Sequence, residues 1–172
     1  MESIFMDEEL SRYNLDGKWN DYIGVQKEVL DVLRVEKGFT YGEIINKQTG
    51  MCIRINAKGI KETLGPGKRF QALPKRLKQY KIATLVHLRS IIENAELIMD
   101  KVPNYHYKNQ DTFAYFESRM EINQELVSVR ITVKKKISSN WFWMHNINEM
   151  KKVPNYSTHL LDGIKRDSEL LS

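Results

Sequence analysis

Hydrophobic and polar positions alternate most cleanly over residues 123–147. Val127, Val129, Ile131 and Val133 are interleaved with Ser128, Arg130, Thr132 and Lys134. Strand side chains point to opposite faces in turn, so the first set shares one face and the second set the other. The same period groups Trp141, Trp143, His145 and Ile147 against Phe142, Met144 and Asn146. A third run, residues 112–122, sets Phe113, Tyr115 and Glu117 against Ala114, Phe116, Ser118 and Met120. Asn123-Gln124 between two such runs predicts a tight turn. Three strands in sequence with short connections predict an antiparallel meander.

The earlier part of the chain reads differently. Residues 6–15 predict a short helix. Residues 19–35 predict a second one, with Tyr22, Val25, Gln26, Val29 and Leu33 at three- and four-residue spacing and Gly38 as its stop. Lys47-Gln48-Thr49-Gly50 separates two β-rich runs, which predicts a hairpin over residues 41–46 and 51–55. Asn56 is an N-cap for a short helix ending at Gly65-Pro66-Gly67, which opens a loop to Gln71. The longest helical pattern runs over residues 73–98. Pro74 suits its first position, and Leu77, Tyr80, Leu85, Leu88, Ile91, Ile92 and Ala95 line its apolar face. A polar, aromatic-rich loop follows to Asp111. The pentamer KVPNY stands at 101–105 and again at 152–156, where Pro-Asn marks strand-exit turns. Gly163 weakens a helical pattern in the tail. The sum is an α+β domain, with N-terminal helices and one long helix packed on one face of an antiparallel sheet. It reads as a single domain over 1–172: a helical segment (1–38), the α+β core (39–148) and a helical tail (149–172).

Composition narrows the function classes. At 172 residues, 41% hydrophobic and 28% charged, the chain suits one globular domain. No apolar run approaches the ~18–20 residues that span a bilayer. The acidic N-terminus, MESIFMDEEL, does not resemble a secretory signal. Cys52 is the sole cysteine, which excludes an intrachain disulfide and a cysteine-based zinc site, and its apolar setting predicts a buried small hydrophobe. A cytoplasmic location is the expectation. His87, His106, His145 and His159 have no zinc-ligand spacing, and no P-loop, dinucleotide fingerprint, HExxH or GxSxG is present, so neither a metal nor a cofactor is expected. The net charge of +5 favours a polyanionic partner, and since residues 1–36 are acidic, the surplus lies in the middle and end of the chain.

What remains is metal-free chemistry on a phosphodiester. RNA is cleaved through its own 2′-hydroxyl when a base takes that proton, an acid protonates the leaving oxygen and cations hold the charged phosphorane. Lys58, Lys61, Glu62 and Thr63 crowd one helical stretch, Arg130, Thr132 and Lys134 share a strand face, and His145 lies on the next strand. Each has a structural reading beside the catalytic one. Glu62 can pair with Lys58 across a turn, Arg130 with Glu117 or Glu121 across the sheet, and His145 can be a hydrogen-bonded core residue. Lys75, Arg76, Lys78 and Lys81 oppose the dipole at a helix start, which suits either nucleic-acid contact or a solvated face. Thr132 and Lys134 join them as nucleic-acid-binding candidates. Trp141, Phe142 and Trp143 suit base stacking or a core, and His87 suits packing.

AKGIKETL (57–64), LPKRLKQYKIATLVHLRSIIENAEL (73–97), VSVRITVKKK (127–136) and FWMHNI (142–147) together resemble a domain family of the large polyvalent proteins of phages and conjugative elements, and related mobile-element toxins. The resemblance covers about residues 40–148. Such domains are similar in layout to the barnase–EndoU–colicin–RelE-like nucleases, which are metal-independent ribonucleases. The resemblance implies His145 as acid or base, Arg130 with Lys58 as phosphate clamps, and Lys61, Thr63 and Lys134 around them, while Glu62 stands where a histidine is expected in active members. It implies RNA as substrate and an immunity or antitoxin protein as partner, while the order of elements along the chain predicts a cleft with the strand pair as floor and the Lys58–Thr63 helix turn as wall. The alternative is a non-catalytic accessory module that binds nucleic acid or protein.

Overall fold

The computed structural model describes residues 1–36, 42–65, 67–103, 111–136 and 141–154; the side chains of Val35, Glu36, Trp141, His145, Asn146, Asn148 and Glu149 lie outside that description. The described elements are, in order, β1 (Glu2–Ile4), α1 (Met6–Arg12), α2 (Tyr22–Asp31) with a π-helical turn over Val32–Glu36, β2 (Glu43–Ile45) and β3 (Cys52–Arg54). Then come α3 (Ala57–Leu64), α4 (Gly67–Ala72), α5 (Lys75–Val86), α6 (Leu88–Glu93), β4 (Glu96–Pro103), β5 (Thr112–Ile122), β6 (Glu125–Lys136) and β7 (Trp141–Lys152).

The meander forms as the alternation requires. β5 pairs antiparallel with β6 from Thr112↔Lys135 to Ile122↔Glu125. Asn123 (φ 52°) and Gln124 (φ 65°) are both left-handed, the backbone of a two-residue turn whose twist matches the strands. Asn123 also ties in the N-terminus: its N–H donates to Ile4 O, and its Oδ1 accepts from Met6 N–H. Val127, Val129, Ile131 and Val133 are buried, with Ala114, Phe116 and Met120 beside them. The helices contribute Val25, Ile60, Phe70, Leu85 and Ile91 to that same core. Each such side chain, fully buried, contributes about 1.5–3 kcal/mol.

The fold is α+β, but the sheet is mixed rather than antiparallel. Its order is β1-β5-β6-β7-β3-β2, with β4 also on β5. β1 runs parallel to β5 and β3 parallel to β7. β4 and β1 share the outer edge of β5, β4 along 112–117 and β1 along 120–122.

The predicted long helix is two helices and a strand. His87 (φ −106°, ψ 20°) breaks it between α5 and α6. The ring of His87 is buried between Glu9 (3.1 Å) and Glu2 (3.5 Å), which holds the break against the N-terminal segment. Residues 96–103 form β4 because β5 offers a free edge, and a short apolar run such as Leu97-Ile98-Met99 satisfies a helix or a strand equally. α4 replaces the loop expected before Gln71.

The hairpin of β2 and β3 is fixed by Asn46, which is fully buried. Its Nδ2 donates to Ile92 O and Ala95 O, and its Oδ1 accepts from the Thr49 N–H and hydroxyl. The turn and the end of α6 are thereby held on one amide. Both KVPNY copies stand at strand ends, where β4 stops at Pro103 and β7 at Lys152. Residues 104–105, the rest of the 104–110 loop and 155–172 lie outside the described residues.

Candidate nucleic-acid interface

β7 departs from strict alternation. Met144 pairs with Val133 and Asn146 with Thr132, so His145 is an extra residue in the ladder; Asn148 is another, between Ile147↔Ile131 and Glu149↔Arg130. Each bulge resets the side-chain period. Met144 and Ile147 therefore both enter the core, although unbroken alternation sets them on opposite faces. The direction of the His145 side chain lies outside the described residues.

The face opposite the core is read from the registers. Phe113, Lys134, Trp143, Arg54 and Glu43 make one row across five strands. Tyr115 and Thr132 follow in the next row, then Glu117 and Arg130, then Arg119, Ser128 and Lys151. Ser128 donates to Glu117 (2.9 Å). Glu117, Ser128, Arg130 and Lys151 bound a cavity of about 210 Å³. Thr132 is buried by its neighbours and offers no exposed hydroxyl.

The expected wall of a cleft does not meet this floor. Asn56 caps α3 by accepting from Gly59 N–H (2.9 Å). Gly59 and Thr63 then face β7: a Cβ on Gly59 would lie 2.6 Å from Met144 O, and Thr63 Oγ1 accepts from Ile147 N–H (3.0 Å). Thr63 is fully buried and its hydroxyl also donates to Gly59 O, so it is a docking residue. Lys58, Lys61 and Glu62 are exposed on the turns of α3 that face away from β7. They are not brought together with Arg130 and Lys134, which lie beyond the core on the other sheet face.

The basic start of α5 is largely committed to packing. Lys75 lies over the Trp19 ring (5.5 Å), and Arg76 pairs with Glu125. Glu125 also receives Lys152 (3.0 Å) and the Tyr80 hydroxyl (2.7 Å). Lys78 is buried over Phe70 and donates to Asn20. Lys81 donates to Thr63 O at the end of α3, and burial pushes its pKa below the usual lysine value.

Cations and rings do gather at one end of the sheet. Lys134 reaches Asp111 (3.4 Å), and Arg54 reaches Glu43 (3.0 Å) while lying over the Trp143 ring (5.7 Å). Lys135 lies over Phe142 (5.7 Å), and Lys135 and Lys136 are exposed. On the face opposite the core, Arg54, Lys134 and Lys136 thus outnumber Glu43 and Asp111, interleaved with half-buried Phe113 and Trp143, while Lys135 and Phe142 share the core-side face with Val133 and Ile53. Sequence reasoning missed Arg54, because only the parallel β3–β7 pairing brings it here. Lys135 and Lys136 had a signal, the KKK run at the end of β6. Cys52, also on β3, is half-buried rather than buried, and burial together with its hydrogen bond to Glu43 raises its thiol pKa.

Among the described residues no three His, Cys, Asp or Glu side chains gather as a metal site, and no helix is long and apolar enough to cross a membrane. A family model described as large polyvalent protein-associated domain 3 matches residues 25–142, more than half of the chain. No curated protein and no solved structure matches it.

Proposed function

We propose, on the premise that this chain belongs to the large polyvalent protein-associated domain 3 family of phage and mobile-element proteins, that the domain holds RNA against the basic end of the sheet face opposite its core. The observation that carries this is the interleaving of Arg54, Lys134 and Lys136 with the Phe113 and Trp143 rings on one face. Cations supply the salt-sensitive attraction for phosphates, and rings offer surfaces for bases. Lys134→Gln/Lys136→Gln tests it, since both side chains lie on that face. Anisotropy of a labelled RNA 12-mer is measured between 50 and 200 mM salt. Removing one lysine–phosphate pairing lowers the log–log salt slope by about 0.7, so the slope of the double variant falls by about 1–1.5. Lys75→Gln, on the helical layer, leaves the slope unchanged. An unchanged slope in the double variant removes the patch as the binding surface.

A second reading, RNA cleavage, draws on the bulge at His145, because bulges re-aim side chains next to active sites. His145 is then acid or base, and Arg130, beside the 210 Å³ cavity, holds the phosphate. Lys58, Lys61 and Thr63 have no part in it. An immunity or antitoxin partner belongs to this reading alone. It predicts cleavage that survives EDTA, leaves a 2′,3′-cyclic phosphate and is abolished in His145→Ala and Arg130→Ala. Intact RNA after prolonged incubation with the wild type ends it.

A further inference from the structure

We infer that the nucleic acid held by this patch is single-stranded and lies across the strands, over the row of Phe113, Lys134, Trp143 and Arg54. This rests on the reading that the patch binds RNA, and adds which form of it is bound.

The order along the row is ring, cation, ring, cation. Strands lie ~4.8 Å apart, so Phe113 and Trp143 stand about 10 Å apart with Lys134 between them, and Arg54 is one strand further. A duplex presents phosphates and hydroxyls outward and keeps the faces of its bases stacked inside. Cations alone would serve it. Rings in register with cations serve a strand whose bases are splayed, because every base has a face to stack and the phosphates between bases need charge.

The row is also fixed in advance. Glu43 holds Arg54 at 3.0 Å, Arg54 lies over the Trp143 ring, and Asp111 holds Lys134 at 3.4 Å. The two carboxylates set the two cations in place on either side of the indole. The β2–β3 hairpin that carries Glu43 and Arg54 is itself locked to the end of α6 by the two hydrogen bonds that Asn46 Nδ2 donates to Ile92 O and Ala95 O. Side chains already ordered give up less freedom on binding. Phe113 and Trp143 are half-buried. At the same end and on the same face Lys136 extends the positive charge beyond the row.

The test compares a 12-nucleotide unstructured RNA with a blunt RNA duplex of the same length, using Trp143→Leu and Phe113→Leu in the full chain. Wild type binds the single strand more tightly. Either substitution weakens single-strand binding by about 5- to 150-fold, the effect of removing one stacked base. Duplex binding and the salt slope stay unchanged. Thermal melting confirms the fold, and if one variant is unfolded the other decides. Equal binding of both RNAs, with both leucine variants unchanged, overturns the inference; the RNA reading survives if Lys134→Gln/Lys136→Gln still lowers the slope. Absence of any RNA binding overturns both.

Discussion

Replacing Gly59 with alanine puts a methyl group where α3 approaches β7 most closely. In a helix interior alanine is favoured over glycine by about 1 kcal/mol, so propensity alone predicts a gain. The structure reverses the sign. The new Cβ would stand 2.6 Å from Met144 O and 3.1 Å from Met144 Cε. The first of these atoms is backbone in a paired strand, which cannot rotate away. α3 must retreat, at a cost of about 1–3 kcal/mol for an overfilled site. Retreat also stretches the bond from Ile147 N–H to Thr63 Oγ1, now 3.0 Å, worth about 0.5–1.5 kcal/mol. The net effect is a destabilisation of roughly 1–3 kcal/mol, a fall in Tm of about 3–10 °C for a chain of this size. Gly24→Ala is the control. Its Cβ would meet Asp21 Oδ2 at 2.7 Å, but that oxygen ends a flexible side chain that makes no cap hydrogen bond. It swings aside, and the variant gains up to about 1 kcal/mol. Urea and thermal denaturation followed by far-UV circular dichroism read both. A Gly59→Ala protein as stable as the Gly24→Ala protein refutes the close packing of α3 on β7.

Further outcomes follow from single buried groups. Asn46→Ala leaves Ile92 O, Ala95 O and Thr49 N–H without their side-chain partner, and costs roughly 2–4 kcal/mol. A stability within about 0.5 kcal/mol of wild type in urea melts, the range of an ordinary surface change, contradicts that role. Lys81 has a folded pKa depressed by burial, so between that value and the ordinary lysine value the unfolded chain binds more protons. The stability of wild type relative to Lys81→Met therefore rises as pH rises through that alkaline window, and a flat difference across it refutes the burial.

The β5–β6 pair was legible because its alternation is strict and its turn residues accept left-handed backbone. β2, β3 and the Asn56 cap were legible for similar local reasons. The two bulges of β7 were not, because an extra residue leaves no mark in the pattern until a partner strand defines the register. The same holds for the parallel pairings of β1 and β3, which join segments far apart in sequence. The candidate site divides along that line. Lys134 was visible from its strand, while the nearness of Arg54 to Trp143 depends on a parallel neighbour. Lys58 and Lys61 drew attention by composition, yet the residues of that motif with a structural task are Gly59 and Thr63. Lys75, Arg76, Lys78 and Lys81 looked like a binding face; Trp19, Glu125, Asn20 and Thr63 engage them instead.

The location of bound RNA is measured most directly by titrating the ¹⁵N-labelled chain with the RNA 12-mer and following backbone amides. The predicted result is saturable shifts concentrated at residues 52–54, 113, 134–136 and 142–143, with α1, α2 and α5 unmoved. Shifts centred on α5 and its lysines, or no shifts at low salt, contradict the assignment of the sheet face opposite the core.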